Sequence, residues 1–151
     1  MNETKETNYK AVHLIDLENL YGDGLLTIDA IKKAHEIYDD EVGIQAEDTV
    51  LVAAGTQNKR NVLTAWPGAF YLFRPGANGA DIALAQYMSE KNLATAYGRA
   101  FLASGDGGLA PYLNYLRNKG LDTVVVSRPS ALSWKLNGFE RIFVPEMKEN
   151  K

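Results

Sequence analysis

Three aspartates stand where strand-like segments end or a helix-like segment begins. Asp16 lies at the end of the apolar run "AVHLIDL", Asp106 comes just after "RAFLAS", and Asp81 opens the helix-like segment "GADIALAQYMSEKN". Burying a carboxylate without a partner is costly, so each of these groups needs hydrogen-bond donors or a cation. A shared divalent cation is therefore the chemistry that this set of residues indicates.

Each aspartate also has a structural interpretation. Asp16 fits an acceptor for the turn that follows it, and Asp81 fits a helix cap or a charge that complements the helix dipole. Asp106 belongs to an Asp-Gly pair, which favours a turn or a cap ahead of the next helix. Only the three aspartates together favour a functional site.

Other polar residues border these positions. Asn19 and Glu18 fall in the loop after the first strand-like run, where Asn19 could hold a phosphate oxygen and Glu18 could join the acidic set. Either also fits an ordinary solvated loop residue. The hydroxyl of Ser104 could orient Asp106 or make a simple turn hydrogen bond.

The elements that position these residues alternate between strand and helix, which is typical of βαβ units. Since such strands are usually parallel, ligands collect at their carboxyl ends, and the three aspartates should lie near one rim of the sheet. The predicted helices are 27–40, 58–65, 79–92, 108–120 and 130–136. The predicted strands are 11–17, 49–54, 69–74, 99–104, 122–127 and 141–145.

Size and composition limit the function classes. With 151 residues, 46% of them hydrophobic, the chain suits one domain. We predict a flexible N-terminal tail over 1–10, a single domain over 11–146 and a C-terminal tail over 147–151. The absence of cysteine excludes disulfides, thiolate metal sites and cysteine nucleophiles, and two histidines argue against a histidine-rich metal site.

Location and partners are indicated by the same composition. The N-terminal ten residues lack the apolar core of a signal peptide, and no apolar run is long enough to cross a bilayer, so the expectation is a cytoplasmic protein without membrane partners. The net charge of −3 argues against tight non-specific nucleic-acid binding. Exposed aromatic residues such as Trp66, Phe70 and Tyr71 fit either a homodimer interface or internal packing.

Most of the chain resembles the NYN-domain branch of the PIN-like nucleases. The similar segments are "HLIDLENLYG", "GADIALAQYM" and "FLASGDGGLAPYLNYLRNKG", in this order. They correspond to an Asp-x-x-Asn element (Asp16 and Asn19), a Gly-x-Asp helix start (Asp81) and a Ser-Gly-Asp strand end (Ser104 and Asp106). The resemblance implies a three-layer, PIN-like or Rossmann-like α/β fold with a mostly parallel sheet flanked by helices.

The resemblance also implies a function: hydrolysis of RNA by Mg²⁺ or Mn²⁺ at the acidic rim. Asp16 and Asp106 would then be metal ligands, Asp81 a ligand or an orienter of the attacking water, and Asn19 a substrate-positioning residue. The chain departs from the family pattern at Gly108, where a second carboxylate is common. The alternative is therefore a degenerate NYN module that binds RNA or a protein partner without catalysis.

Basic residues near strand ends are candidates for phosphate contacts. Trp134, beside the last of them in "VSRPSALSWK", is available to stack on a base or to pack internally. Most surface charges are simply solvated, which is the alternative for each of these residues. The predicted substrate-binding residues are Lys59, Arg60, Arg74, Ser104, Arg128 and Lys135.

Two further enzyme or binding classes fit less well. A phosphatase with Asp16 as nucleophile usually has a second aspartate two residues later, and here that residue is Glu18. The glycines around Asp106 could expose N–H groups to a nucleotide phosphate, but neither Gly-x-x-x-x-Gly-Lys-Ser/Thr nor Gly-x-Gly-x-x-Gly is present.

Overall fold

Six parallel strands form one sheet in the computed structural model, which describes residues 10–148. Several strands are buried along nearly their whole length, as expected where helices cover both faces of a sheet. Each predicted strand is present, with ends that differ by at most two residues. The strands are β1 (Ala11–Asp16), β2 (Thr49–Gly55), β3 (Phe70–Arg74), β4 (Arg99–Ala103), β5 (Asp122–Ser127) and β6 (Glu140–Phe143).

The strand order is β3-β2-β1-β4-β5-β6, so the chain reverses its direction of growth at β1. Ile15 of β1 is paired with Ala103 of β4, and Asp16 is paired with Ala53 of β2. The carboxyl ends of β1 and β4 are consequently neighbours. This is the switch point at which open α/β sheets usually bind ligands.

Helices cover both faces of the sheet and produce the three-layer α/β arrangement. One buried apolar cluster joins α1, α2 and α3 to one face, and a second joins α4, α5 and α6 to the other. Thr27 caps α2 by accepting a hydrogen bond from the Ala30 amide at 3.0 Å. The helices are α1 (Leu17–Tyr21), α2 (Ile28–Val42), α3 (Lys59–Ala65), α4 (Gly79–Glu90), α5 (Leu93–Ala96) and α6 (Ala110–Asn118).

The predicted helix over 130–136 is wrong. Two short 3₁₀ turns, Pro129–Ala131 and Trp134–Leu136, occupy this region. The break lies at Ser133, whose amide donates to the Gly105 carbonyl at 2.9 Å instead of to the preceding turn. Docking onto the end of β4 therefore replaces the helical hydrogen bonds here.

The packed part of the chain continues past the predicted domain end at 146. Met147 is buried, and its carbonyl accepts a hydrogen bond from Lys33 Nζ at 2.6 Å. Lys148 lies 3.2 Å from the Asp23 carboxylate. The predicted start of the C-terminal tail at 147 is therefore too early by at least two residues. Residues 149–151 and most of the predicted N-terminal tail, 1–9, lie outside the described residues.

Across residues 10–148, every helix is too short or too polar to cross a bilayer. Trp66 belongs to the interior, where it stacks on His35 with ring centroids 4.1 Å apart. Tyr71 is half-buried and its hydroxyl lies against the Trp66 carbonyl, whereas Phe70 is exposed on edge strand β3.

Candidate functional site

The three aspartates lie together at the carboxyl end of the sheet, and we call them the aspartate cluster: Asp16, Asp81 and Asp106. Each carboxyl influences the protonation of another. The cluster opens into a cleft of about 390 Å³. The polar residues that line this cleft are Asp16, Glu18, Asn19, Asp23, Asn78, Asp81, Asp106 and Arg128.

Asp16 is the most deeply buried member, with 4% of the residue exposed. Its Oδ1 caps α1 by accepting a hydrogen bond from the Asn19 amide at 3.3 Å, so its predicted turn role is present. Its Oδ2 lies 3.4 Å from the Ser104 hydroxyl and accepts from it. Burial nevertheless raises the pKa of Asp16, because the hydrogen bonds with the Asp81 carboxyl and the Asn19 amide only partly replace the lost hydration.

Asp81 does not cap its helix. The N-cap of α4 is Asn78, in the left-handed conformation with φ 60°, and Asp81 is the third helical residue. Its Oδ1 is buried and has no hydrogen-bond partner within residues 10–148. Burial, followed by the neighbouring carboxyls of Asp106 and Asp16, raises the pKa of Asp81 to about 9.

Glycine at 79 allows α4 to start close to the sheet. A Cβ there would stand 2.3 Å from the Arg74 carbonyl oxygen at the end of β3. Because α4 begins in contact with that strand end, Asp81 in its first turn faces the other two aspartates. The Gly-x-Asp spacing thus has a steric reason in addition to the chemical one.

Asp106 completes the cluster from the turn after β4. Its Oδ1 accepts from the Gly108 amide at 2.8 Å, so it also serves as a cap. Its pKa is lowered, chiefly by a hydrogen bond with Asp81 and also by the positive charge of Lys135. The pKa values of these two neighbouring carboxyls are therefore shifted in opposite directions, upward for Asp81 and downward for Asp106.

Ser104 and Asn19 tie the ends of β1 and β4 together. The Ser104 hydroxyl accepts from the Asp106 amide at 3.1 Å, and Asn19 Oδ1 accepts from the Gly105 amide at 2.9 Å. Ser104 was predicted to bind substrate or to orient Asp106; it is fully buried, and its hydroxyl contacts Asp16 and the Asp106 amide instead of lining the cleft. Asn19 was expected in a loop, but it lies in helix α1; it lines the cleft and links this helix to the end of β4.

Glu18 has a structural connection that the sequence did not indicate. Its Oε2 accepts from the Gly55 amide at 2.7 Å and from Asn58 Nδ2 at 2.6 Å, which joins α1 to the end of β2. These two hydrogen bonds occupy the Oε2 atom. Glu18 borders the cleft without being part of the aspartate cluster.

Arg128 reaches the cleft, but its donors are largely occupied. Its guanidinium donates to the carbonyls of Asn19 and Leu20 at the end of the short helix α1, and it pairs with Glu146 at 2.9 Å. A cation at a helix C-terminus stabilises the last carbonyls. Arg128 consequently stabilises the end of α1, the short helix that carries Asn19.

The other predicted basic residues lie outside the cleft. Lys59 stands over the Phe73 ring at 5.9 Å, Arg60 is exposed on α3, and Arg74 lies 3.4 Å from Gln86 on the outer side of α4. Lys135 is exposed beside Asp106, at the edge of a second groove. The structure thus brings Lys135 near the site and leaves Lys59, Arg60 and Arg74 away from it.

Asn78 is a cleft residue that sequence reasoning missed. It occupies the turn before α4 and is the one non-glycine residue with positive φ among those described. The stretch "GANG" carries the signal, since asparagine tolerates the left-handed conformation better than most residues.

The donor set suits a hard divalent cation but is not a finished cage. In the part of the chain that the structure describes, no group of three or more His, Asp or Glu side chains is placed so that together they could hold a metal ion. The partnerless Asp81 oxygen beside two carboxyls is nevertheless an oxygen-rich position. Mg²⁺ is often held by only one or two carboxylates, with water and phosphate completing the shell.

Comparison with known proteins supports the fold. No protein-family model matches the chain, and no curated protein matches it. The chain is similar to a crystal structure of a protein of unknown function from Vibrio parahaemolyticus, with a TM-score of 0.65 and 16% identity over 94% of this chain and 95% of that one. At this identity the likeness establishes a shared architecture across nearly the whole length of both chains.

Proposed function

We propose that this protein is a divalent-metal-dependent ribonuclease that hydrolyses RNA phosphodiester bonds at the aspartate cluster. The proposal depends above all on the buried Oδ1 of Asp81, which lacks a donor within residues 10–148 and belongs to a carboxyl in contact with two others. An unsatisfied buried polar atom costs about 1–3 kcal/mol and is uncommon in folded proteins. One cation would satisfy this atom and reduce the repulsion among all three carboxylates.

Mg²⁺ and Mn²⁺ are the cations that an all-oxygen, carboxylate-rich position favours. We assign Asp16 and Asp106 as ligands, and Asp81 as a ligand or as the group that orients the attacking water. When bound, such a cation would stabilise charge on the phosphate and make a water more acidic. The scissile phosphate would enter from the open cleft.

The surrounding residues would keep the carboxylates in position during the reaction. Ser104 fixes Asp16 and Asp106 relative to each other through one buried hydroxyl. Asn19 links helix α1 to Gly105 and lines the cleft, where its amide can meet a phosphate oxygen. Arg128 stabilises the same helix by donating hydrogen bonds to the Asn19 carbonyl.

A specific feature favours the non-catalytic alternative, an NYN-like module that binds RNA or a protein without cleavage. NYN domains, which the chain resembles, commonly carry another acidic residue at the position of Gly108. A two-cation arrangement is correspondingly harder to build from three aspartates. The two candidates differ in metal-dependent turnover.

The experiment is a cleavage assay on a labelled, unstructured RNA with Mn²⁺, Mg²⁺ or EDTA, paired with calorimetric titration of Mn²⁺. We expect cleavage with either metal and none in EDTA. Asp16→Asn should reduce the rate by about 100-fold or more, because it removes a ligand charge. Asp122→Asn is the matched control, since it removes an exposed carboxylate at the opposite end of the sheet, and it should retain the wild-type rate.

Two results would contradict the proposal. Cleavage that survives in Asp16→Asn would place the activity elsewhere or in a contaminant. RNA binding by the wild-type protein with no cleavage in Mn²⁺ would favour the non-catalytic module.

A further inference from the structure

A second groove adjoins the aspartate cluster on the side of Asp106. It has a volume of about 560 Å³ and runs between the start of α6 and the 3₁₀ turn Trp134–Leu136. Gly107 and Gly108 line the groove and directly follow Asp106, which lines the cleft of the aspartate cluster, so the groove and the cleft are adjacent along the chain. The lining residues that the argument uses are Gly107, Gly108, Asn114, Arg117, Trp134 and Lys135.

Trp134 is the most exposed large apolar side chain among the described residues, at 75%. Packing gives no reason for this exposure, because burying an aromatic side chain of this size would stabilise the fold. The indole stands on an ordered turn: Leu136 of the same turn is fully buried, and the Ser133 hydroxyl accepts from the Lys135 amide at 3.2 Å. An exposed aromatic ring on a rigid support is typical of a stacking platform.

The platform has a fixed position relative to the cluster. Ser133, directly before Trp134, donates its amide to the carbonyl of Gly105, directly before Asp106, at 2.9 Å. A Cβ at Gly105 would lie 2.2 Å from the Ala131 carbonyl oxygen, so glycine is needed for this contact. Trp134 and Asp106 are therefore each one residue away from the same hydrogen bond.

Basic groups border the platform. Lys135 crosses over Gly107, since a Cβ placed there would be 3.0 Å from Lys135 Cδ. The Arg117 guanidinium stacks on Phe139 at 4.3 Å and is held by the Gly138 carbonyl and by Asn114 Oδ1. These two cations lie along one groove in a chain of net charge −3, so the groove is complementary to a phosphate backbone.

We propose that this groove binds a nucleotide next to the scissile phosphate of a single-stranded RNA, with its base stacked on Trp134 and its phosphate contacted by Lys135 and Arg117. Single-stranded RNA is the occupant that fits, because a base must be unstacked to reach a side-chain platform. This assignment rests on the proposed function for its orientation toward the cluster, but the binding itself needs no catalysis.

The experiment measures binding in EDTA, where cleavage is not required. The probes are a fluorescein-labelled 12-residue oligoadenylate and an RNA hairpin with the same number of nucleotides. We expect the single strand to bind more tightly than the hairpin and to quench tryptophan fluorescence, since Trp134 is exposed and Trp66 is buried. Trp134→Ala should raise the Kd about tenfold or more, and Trp134→Phe should keep most of the affinity.

A matched control and a charge variant sharpen the result. Phe70→Ala removes an exposed aromatic ring from β3, the strand at the edge of the sheet opposite β6, and should leave the Kd unchanged. Lys135→Gln should weaken binding and lower the slope of log Kd against log salt by about 1, as expected for one lost phosphate contact.

Three outcomes would overturn the groove assignment: a Kd unchanged by Trp134→Ala, a Kd raised equally by Phe70→Ala, or a hairpin bound as tightly as the single strand. The nuclease proposal is tested separately by Mn²⁺-dependent cleavage in the same proteins. Cleavage abolished by Asp16→Asn together with an unchanged Kd in Trp134→Ala would reject the groove alone. A Trp134-dependent Kd without cleavage would reject the nuclease alone.

Discussion

Strand β1 contributes a buried polar side chain to each of two clusters. Near its amino end, His13 forms what we call the His13 network with Tyr38 and Asp48; at its carboxyl end, Asp16 belongs to the aspartate cluster. The His13 ring is fully buried, with Nδ1 2.6 Å from the Tyr38 hydroxyl and Nε2 2.8 Å from Asp48 Oδ2. Since Asp48 is an acceptor, Nε2 carries the proton and Nδ1 accepts from Tyr38.

The difference between the clusters lies in whether their polar atoms are satisfied. Asp48 also accepts from the Ala11 and Gln45 amides, so every hydrogen-bonding group of the His13 ring and of the Asp48 carboxylate has a partner. The aspartate cluster, three residues further along β1, leaves Asp81 Oδ1 without one. The same fold therefore satisfies the buried polar groups of one cluster and leaves one oxygen of the other without a partner, and the proposed cation site depends on this contrast.

The largest expected effect on stability comes from disrupting the His13 network. Asp48→Ala leaves His13 Nε2 and two backbone amides without an acceptor, and it should lower the free energy of unfolding by about 3 kcal/mol. Urea denaturation followed by circular dichroism measures the change. Asp81→Asn should cause no comparable loss; equal losses in the two variants would contradict the distinction between the clusters.

A smaller effect, on the rate of RNA cleavage, is expected from removing the buried Ser104 hydroxyl that contacts the aspartate cluster. Ser104→Ala removes the group between Asp16 and Asp106, and RNA cleavage should slow by about tenfold through kcat, with KM little changed. Steady-state kinetics at saturating Mn²⁺ separates the two parameters. Ser127→Ala is a suitable control, since Ser127 is likewise buried but at the end of β5, and its hydroxyl donates to the Arg128 carbonyl. A KM effect without a kcat effect would argue against a positioning role.

The two clusters should respond oppositely to pH in metal-free protein. The pKa of Asp81 is raised from 3.8 to about 9, so the folded state retains a proton that the unfolded state has lost, and stability should decrease as pH rises from about 4 to 9. The pKa of His13 is lowered by burial from 6.5, so the unfolded state takes up a proton first and stability should decrease as pH falls below 6.5. Melting temperatures of the wild type and of Asp81→Asn across pH 4–9 measure both effects.

In Asp81→Asn the decline toward alkaline pH should become much smaller, leaving the contribution of Asp16, whose pKa is also raised, and the melting temperature at pH 8 should be a few degrees above that of the wild type. Below pH 6.5 the decline caused by the His13 network should become more visible in this variant, because the opposite contribution of Asp81 offsets it in the wild type. An alkaline decline of equal size in Asp81→Asn would show that another group causes it.

The smallest expected effect comes from adding a carboxylate. Gly108 has no positive φ, and a Cβ there would meet only Asp106 Oδ1, at 3.2 Å, so a side chain can be accommodated with a small shift. Gly108→Asp should tighten Mn²⁺ binding several-fold, since affinity rises with ligand charge. Gly108→Asn is the neutral control, and equal Mn²⁺ affinities for the two variants would contradict the effect of charge.

The strands could be predicted from the sequence because buried parallel strands are nearly continuous apolar runs, as in "AVHLID" and "DTVVVS". It failed at 130–136 because a contact distant in sequence, Ser133 with Gly105, outweighed local helix preference. Arg128 and Ser104 show the same limit within the site: both were predicted as substrate contacts, yet one hydrogen-bonds to α1 carbonyls and the other is buried between two aspartates.

The amino-acid sequence alone determined the alternation of strands and helices, and it determined that carboxylates end β1, follow β4 and begin α4, because periodicity and turn chemistry are local properties. The tertiary structure alone decided that β1 and β4 are neighbours, which brings Asp16 to Asp106, and that Asp81 faces both without a donor of its own. Strand order and the partners of buried atoms depend on contacts between distant segments, and these contacts are set by the packing of the whole sheet and its helices.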